Sequence, residues 1–148
     1  MAATTLCKAV GIKRWKYQDW ETKRFVSRSG PRCTEADAVE AAVVFLLTRE
    51  DDLDDDDVLG IIDSVRTEVQ QLATNTDIVR ARLVCNLRGA KGTIVYGEDD
   101  AGVGRAIGPS TPGLSIELFP KVSEVRNDFR HRASLPRPAA KKKKAKKV

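Results

Sequence analysis

With 148 residues, 41% of them apolar and 32% charged, the chain is long enough for one compact domain or two very small ones sharing a core. It is too short for a two-domain enzyme. Net charge is +5 and the three cysteines, Cys7, Cys33 and Cys85, are odd in number, widely spaced and without a CxxC pair, which excludes a disulfide framework and a four-cysteine zinc site.

No run approaches about 18 consecutive apolar residues, and the opening MAATTLCKAVGIKRW has no basic region followed by an apolar stretch. A soluble intracellular protein without a membrane partner is therefore expected. Charge is segmented by sign: residues 1–50 carry a net +3, residues 51–128 a net −7 and residues 129–148 a net +9. Within the first block Lys8, Lys13, Arg14, Lys16, Lys23, Arg24, Arg28 and Arg32 face only Asp19 and Glu21, a cluster suited to a polyanion.

In chain order, residues 4–10 read as a short helix capped by Thr4 or Thr5 and closed by Gly11. Ile12 to Lys23 reads as a second helix with Ile12, Trp15, Tyr17 and Trp20 on an apolar face. Residues 25–32 (FVSRSGPR) predict a Gly30-Pro31 turn between two short extended pieces. Thr34-Glu35-Ala36-Asp37 predicts a capped start to a strongly apolar helix. The acidic run DDLDDDD at 51–57 breaks that helix. Val58, Ile61, Ile62, Val65, Val69 and Leu72 then mark an amphipathic helix to about Ala73.

The period changes after Asn75. Val79, Ala81, Leu83, Cys85 and Leu87 alternate with Arg80, Arg82, Val84, Asn86 and Arg88, RGAKG reads as a turn and TIVY as a second strand. A helix over 77–88 ended by Gly89 is the competing reading. Residues 97–113 read as a long Gly/Pro-rich loop, LSIELF as a third strand and VSEVRNDFRHR as a closing helix before a basic tail. The expected organisation is a DNA-binding unit at 1–50, an acidic linker with its amphipathic helix at 51–74, a small β-rich module at 75–130 and a basic tail at 131–148.

The chemistry of catalysis finds few candidates. The only histidine, His131, sits among arginines beside the tail, and Gly102, Gly104 and Gly108 precede Pro109 where a phosphate loop needs a helix N-terminus. Asp52, Asp54, Asp56 and Asp63 imitate part of a calcium loop, but Asp57 stands where that loop needs Gly. Those aspartates suit the helix entry at 58 as caps and dipole partners. No catalytic residue, metal or cofactor is expected, and the chain is not expected to be an enzyme.

Nucleic acid remains. The stretch LCKAVGIKRWKYQDWETKRFVSRSGPRCTEADAVEAAVVFLL, within residues 4–73, resembles the winged helix-turn-helix domain of the mercury-resistance regulator (MerR) family, including its small actinobacterial and phage-borne relatives. Gly11-Ile12 matches the Gly-aliphatic end of the first helix, Trp20-Glu21 the aromatic-acid end of the second, and Phe25-Val26 the apolar pair before the wing. Arg32, Cys33 and Thr34-Glu35-Ala36-Asp37 match the return from the wing into a capped helix. Arg24 stands where the family usually has Gly, Cys33 where it has Tyr, and Asp19 where a phosphate-contacting Tyr is common. The family's long dimerisation coiled coil has no counterpart, since Val58 to Ala73 spans only about four turns. Homodimerisation is left open, with the C-terminal strands as its route.

The resemblance implies the N-terminal winged helix-turn-helix, and the pattern after Asn75 adds a small three-stranded antiparallel β module with a terminal helix, so the expected fold is α+β: winged helix-turn-helix, a helix, then that module. The expected function is sequence-specific binding of double-stranded DNA in transcriptional or phage-type regulation. Lys13, Arg14, Trp15, Lys16, Gln18 and Lys23 are the expected contacts of the second helix, and Arg28 and Arg32 those of the wing. Lys141, Lys142, Lys143, Lys144, Lys146 and Lys147 are expected to add sequence-independent affinity by counterion release. The compartment is then the cytoplasm, at the nucleoid, or the nucleus in a eukaryote. The rival readings are a nonspecific nucleic-acid or ribosome-associated protein driven by the tail, and a protein-interaction adaptor.

Overall fold

The buried helix Glu35–Thr48 (α3) is the hub of the computed structural model, which describes residues 2–27, 30, 32–97 and 113–134. Asp37 to Val44 and Leu47 are all buried, as suits a helix apolar on every side. Before it come Ala2–Val10 (α1) and Arg14–Thr22 (α2); after it come Asp55–Thr74 (α4), strands Ala81–Asn86 (β1), Lys91–Tyr96 (β2) and Gly113–Glu117 (β3), and Lys121–Ser134 (α5). The architecture is mixed α+β, with five helices and one three-stranded antiparallel sheet among the described residues.

Strand order is β2-β1-β3, with β1 central and antiparallel to both neighbours. Leu83 pairs with Ile94 on one side and Ile116 on the other, so the three form one apolar row. The alternation read at 79–88 is thus realised as a strand, and the helical alternative is not. α4 lies against β2, buries Val58, Ile61, Ile62, Val65, Val69 and Leu72, and uses Ser64 Oγ to accept from Gly92 N at 2.7 Å. That bond satisfies a strand donor that β1 does not reach.

Both acidic helix starts form reciprocal caps. Thr34 accepts from Asp37 N while Asp37 accepts from Thr34 N, and Asp54 and Asp57 do the same at α4. The extended pieces expected around Gly30-Pro31 form no strand among the described residues of 24–34. In the first of these pieces the donors are used otherwise: Phe25 N donates to Trp20 O and Ser27 N to Glu40. Residues 28, 29 and 31 lie outside the described residues.

α5 packs on α1 and α3, carrying the end of the chain back to its beginning. Arg130 makes a two-pronged contact with Glu35, at 3.0 and 2.7 Å. Lys121 Nζ donates to the last carbonyl of α1, Val10 O, at 2.7 Å and lies 4.1 Å from the Phe45 ring centroid. Arg126, itself buried, donates to Leu72 O near the end of α4. Cations thus satisfy carbonyls at two helix C-termini.

Candidate nucleic-acid interface

α1 ends in Gly11, whose φ of 92 is the left-handed conformation that glycine adopts freely, and Gly11 N and Ile12 N both donate to Cys7 O. Three residues, 11–13, separate α1 from α2. The connection is short and carries a glycine at its start.

α2 is amphipathic, though not as its apolar letters suggest. Tyr17 and Trp20 are 1% and 2% exposed, whereas Trp15 is 61% exposed. At 3.6 residues per turn Trp15 stands about 200° from Tyr17, so the two cannot share a face. The expectation that Trp15 joins the apolar face is corrected on that ground. Ile12 is half-buried against the core, and Phe25 lies within it.

Lys13, Arg14 and Gln18 are exposed and Lys16 is partly exposed, with Lys16 Nζ 5.5 Å from the Trp15 ring centroid. Lys13 precedes α2 in extended conformation and forms no side-chain cap, and the first turn holds no acid. The N-terminal end of α2 therefore combines free backbone N–H groups, a helix dipole and three cations. Such an end is chemically equipped for phosphate or for electronegative base edges.

The other end of α2 differs in sign. Lys23 lies 3.1 Å from both Asp19 and Asp55, and these hydrogen bonds, Asp19 first, hold its ammonium above the ordinary lysine value. Its charge is offset locally, which the sequence does not reveal because Asp55 comes from the acidic run before α4. Arg32 is exposed beyond the segment that follows α2. Arg28 and the tail lysines 141–144, 146 and 147 lie outside the described residues.

Sequence patterns do not single out Glu40 and Arg66, yet these two fix that segment. Glu40 accepts from Ser27 N at 2.7 Å and from Arg66 Nη1 at 2.8 Å, and Arg66 Nη2 donates to Arg24 O at 3.1 Å. Burial pushes the Glu40 carboxyl above its ordinary value, against the opposing effect of Ser27 and Arg66. An acid inside a run as apolar as AVEAAVVFLL is the available signal for a buried, partnered carboxylate.

The cysteines are buried and form no disulfide, and burial pushes the Cys85 thiol up to about 12, far from a reactive thiolate. Among the described residues no group of three His, Cys, Asp or Glu side chains is placed to hold a metal ion. No helix of the described residues is long and apolar enough to cross a membrane. A surface cavity of about 490 Å³ opens between the end of α4 and the start of β1, lined by Gln71, Asn75, Asp77, Val79, Arg80 and Tyr96 among others. Neither a histidine nor a cysteine lines it. No family model, curated protein or solved structure matches this chain.

Proposed function

We propose that this chain is a sequence-specific double-stranded DNA-binding protein, a transcriptional or phage-type regulator that binds and does not catalyse. In this reading α1, the Gly11 turn and α2 form a helix-turn-helix of the MerR-like winged type, and residues 24–34 serve as the wing. One observation carries it: α2 buries Tyr17 and Trp20 while presenting Lys13, Arg14, Trp15 and Gln18 outward at an end free of acids. Arg and Lys pair with guanine edges, Gln pairs with adenine, and all of them reach the major groove from a helix N-terminus. Arg28 and Arg32 then serve the flanking backbone, and the tail lysines supply affinity without sequence preference. A homodimer would read two related half-sites. The protein then acts where DNA is, at the nucleoid or in a nucleus.

Selection from random duplexes, followed by mobility shifts of the full chain on selected and random DNA across salt, tests the proposal. The selected site is expected to bind more tightly at every salt concentration. Equal binding to both would replace this reading with that of a nonspecific, tail-driven nucleic-acid binder.

A further inference from the structure

Trp15 is the largest apolar side chain that the described surface of α2 leaves in water, and an indole gains by covering that surface. Arg14 and Lys16 flank it in the chain and Lys16 Nζ lies 5.5 Å from its ring, so whatever covers it must also meet positive charge. An apolar protein surface meets that demand poorly, whereas DNA does so at every base step, with phosphates outside and base edges within. The major-groove floor is polar apart from one group, the C5 methyl of thymine. Base faces are hidden in a duplex, so an indole there cannot stack as it does on a single strand. What it can cover is a methyl.

We infer that Trp15 is the thymine-reading residue of this protein: its ring packs on the C5 methyl of a thymine in the major groove while Arg14 and Lys16 engage the neighbouring electronegative groups. The inference rests on the duplex-DNA reading of α2 given above. The contact of Lys16 with the ring restrains the indole before binding, which lowers the entropy lost when the ring is covered. It also places the cation beside the apolar contact, so methyl and phosphate are recognised together. Trp20, turned into the core, takes no part.

The test is a double-mutant cycle between protein and DNA, using the full chain and the best selected duplex. Each thymine is replaced in turn by deoxyuridine, which removes only the methyl, and the parent is compared with Trp15→Ala and Trp15→Phe. At one position the replacement should weaken the parent roughly four-fold, the worth of one buried methyl. The same replacement should leave Trp15→Ala unchanged and weaken Trp15→Phe by an intermediate factor. The emission of Trp15, isolated as the parent spectrum minus that of Trp15→Phe, should change on binding this duplex.

If every deoxyuridine weakens parent and Trp15→Ala equally, the inference is overturned while the DNA reading stands. It is also overturned if single-stranded DNA binds more tightly than the duplex and quenches Trp15, since the ring then stacks on base faces. Absence of duplex binding above background removes the reading itself, and the inference with it.

Discussion

Arg66 Nη1 on α4 lies 2.8 Å from Glu40 Oε2 on α3, between two helices that carry none of the proposed DNA contacts. Through this pair the core grips the start of the segment after α2, since Arg66 also holds Arg24 O and Glu40 also holds Ser27 N. Arg24 has a φ of 66, a left-handed conformation costing a non-glycine residue about 1–3 kcal/mol and kept only where surroundings impose it. The close of α2 imposes it, since Arg24 N donates to Glu21 O and Phe25 N to Trp20 O, and Arg66 secures that turn by binding the Arg24 carbonyl.

Arg66→Ala should lower unfolding free energy by about 3–5 kcal/mol, because it strands a buried carboxylate, and Glu40→Gln, which keeps an acceptor for Ser27, should cost less. Urea titrations measure both. The Glu40 carboxyl has a folded value above its unfolded one, so the folded chain binds more protons. Parent stability relative to Glu40→Gln should therefore be highest below the ordinary carboxylate value, fall as pH rises towards the raised one, and level off beyond it. A rise over that interval would show that Arg66 and Ser27 outweigh burial.

The two tryptophans should separate in stability measurements. Trp20→Ala removes a side chain 2% exposed and should cost about 3–5 kcal/mol. Trp15→Ala removes one 61% exposed and should leave the thermal midpoint nearly unchanged, within about 0.5 kcal/mol. Similar destabilisation by both would contradict their opposite placement on α2.

Gly60→Ala offers a test in which two effects oppose each other. Alanine favours an exposed helix over glycine by about 0.8–1.0 kcal/mol. A Cβ at Gly60, however, would stand 2.6 Å from the Ala90 carbonyl oxygen, in the turn between β1 and β2. Ala90 has a φ of 50 and belongs to a four-residue turn, 87–90, so its backbone has little room to yield. Forcing α4 away from the hairpin costs about 1–3 kcal/mol, and the variant should be less stable than the parent by calorimetry.

Arg14→Ala should weaken binding by about 1–3 kcal/mol on the selected duplex and much less on random DNA, as a base contact requires. Asp55→Asn should do the reverse of a binding defect. It removes an acid paired with Lys23 at 3.1 Å while sparing the Asp54–Asp57 cap, so affinity for both duplexes should rise and the increase should fade with salt. Mobility shifts at two salt concentrations check both variants.

Deleting residues 139–148, which hold six lysines and no acid, should weaken selected and random duplexes alike. The slope of log affinity against log salt should flatten by about 0.9 for each phosphate that the shortened chain leaves unneutralised. Disappearance of sequence preference on deletion would assign the reading to the tail.

Local periods made much of this fold legible. Val58, Ile61, Ile62, Val65, Val69 and Leu72 recur as one helix face must, and all are buried in α4. Alternation at Ala81, Leu83 and Cys85 marks β1, and Thr34 with Asp37 marks the start of α3. The basic cluster at the proposed interface is visible for the same reason, since charge along a short segment is a local property. Trp15 departs from its expected face because aromatic character says nothing of the helical angle between positions 15 and 17.

Period and composition along the chain were enough to mark α3, α4, the three strands, most of their buried faces and the basic segments. Which residues meet across those elements became visible in the folded chain alone. Asp55 neutralises Lys23, Glu40 and Arg66 clamp residues 24–27, and Lys121 reaches the end of α1 from across the chain. Each such pair depends on the packing of whole elements, which is set by the fit of many apolar side chains at once. No local period encodes that fit, so a lysine read as a free cation and a glutamate in an apolar run take their roles only in the folded chain.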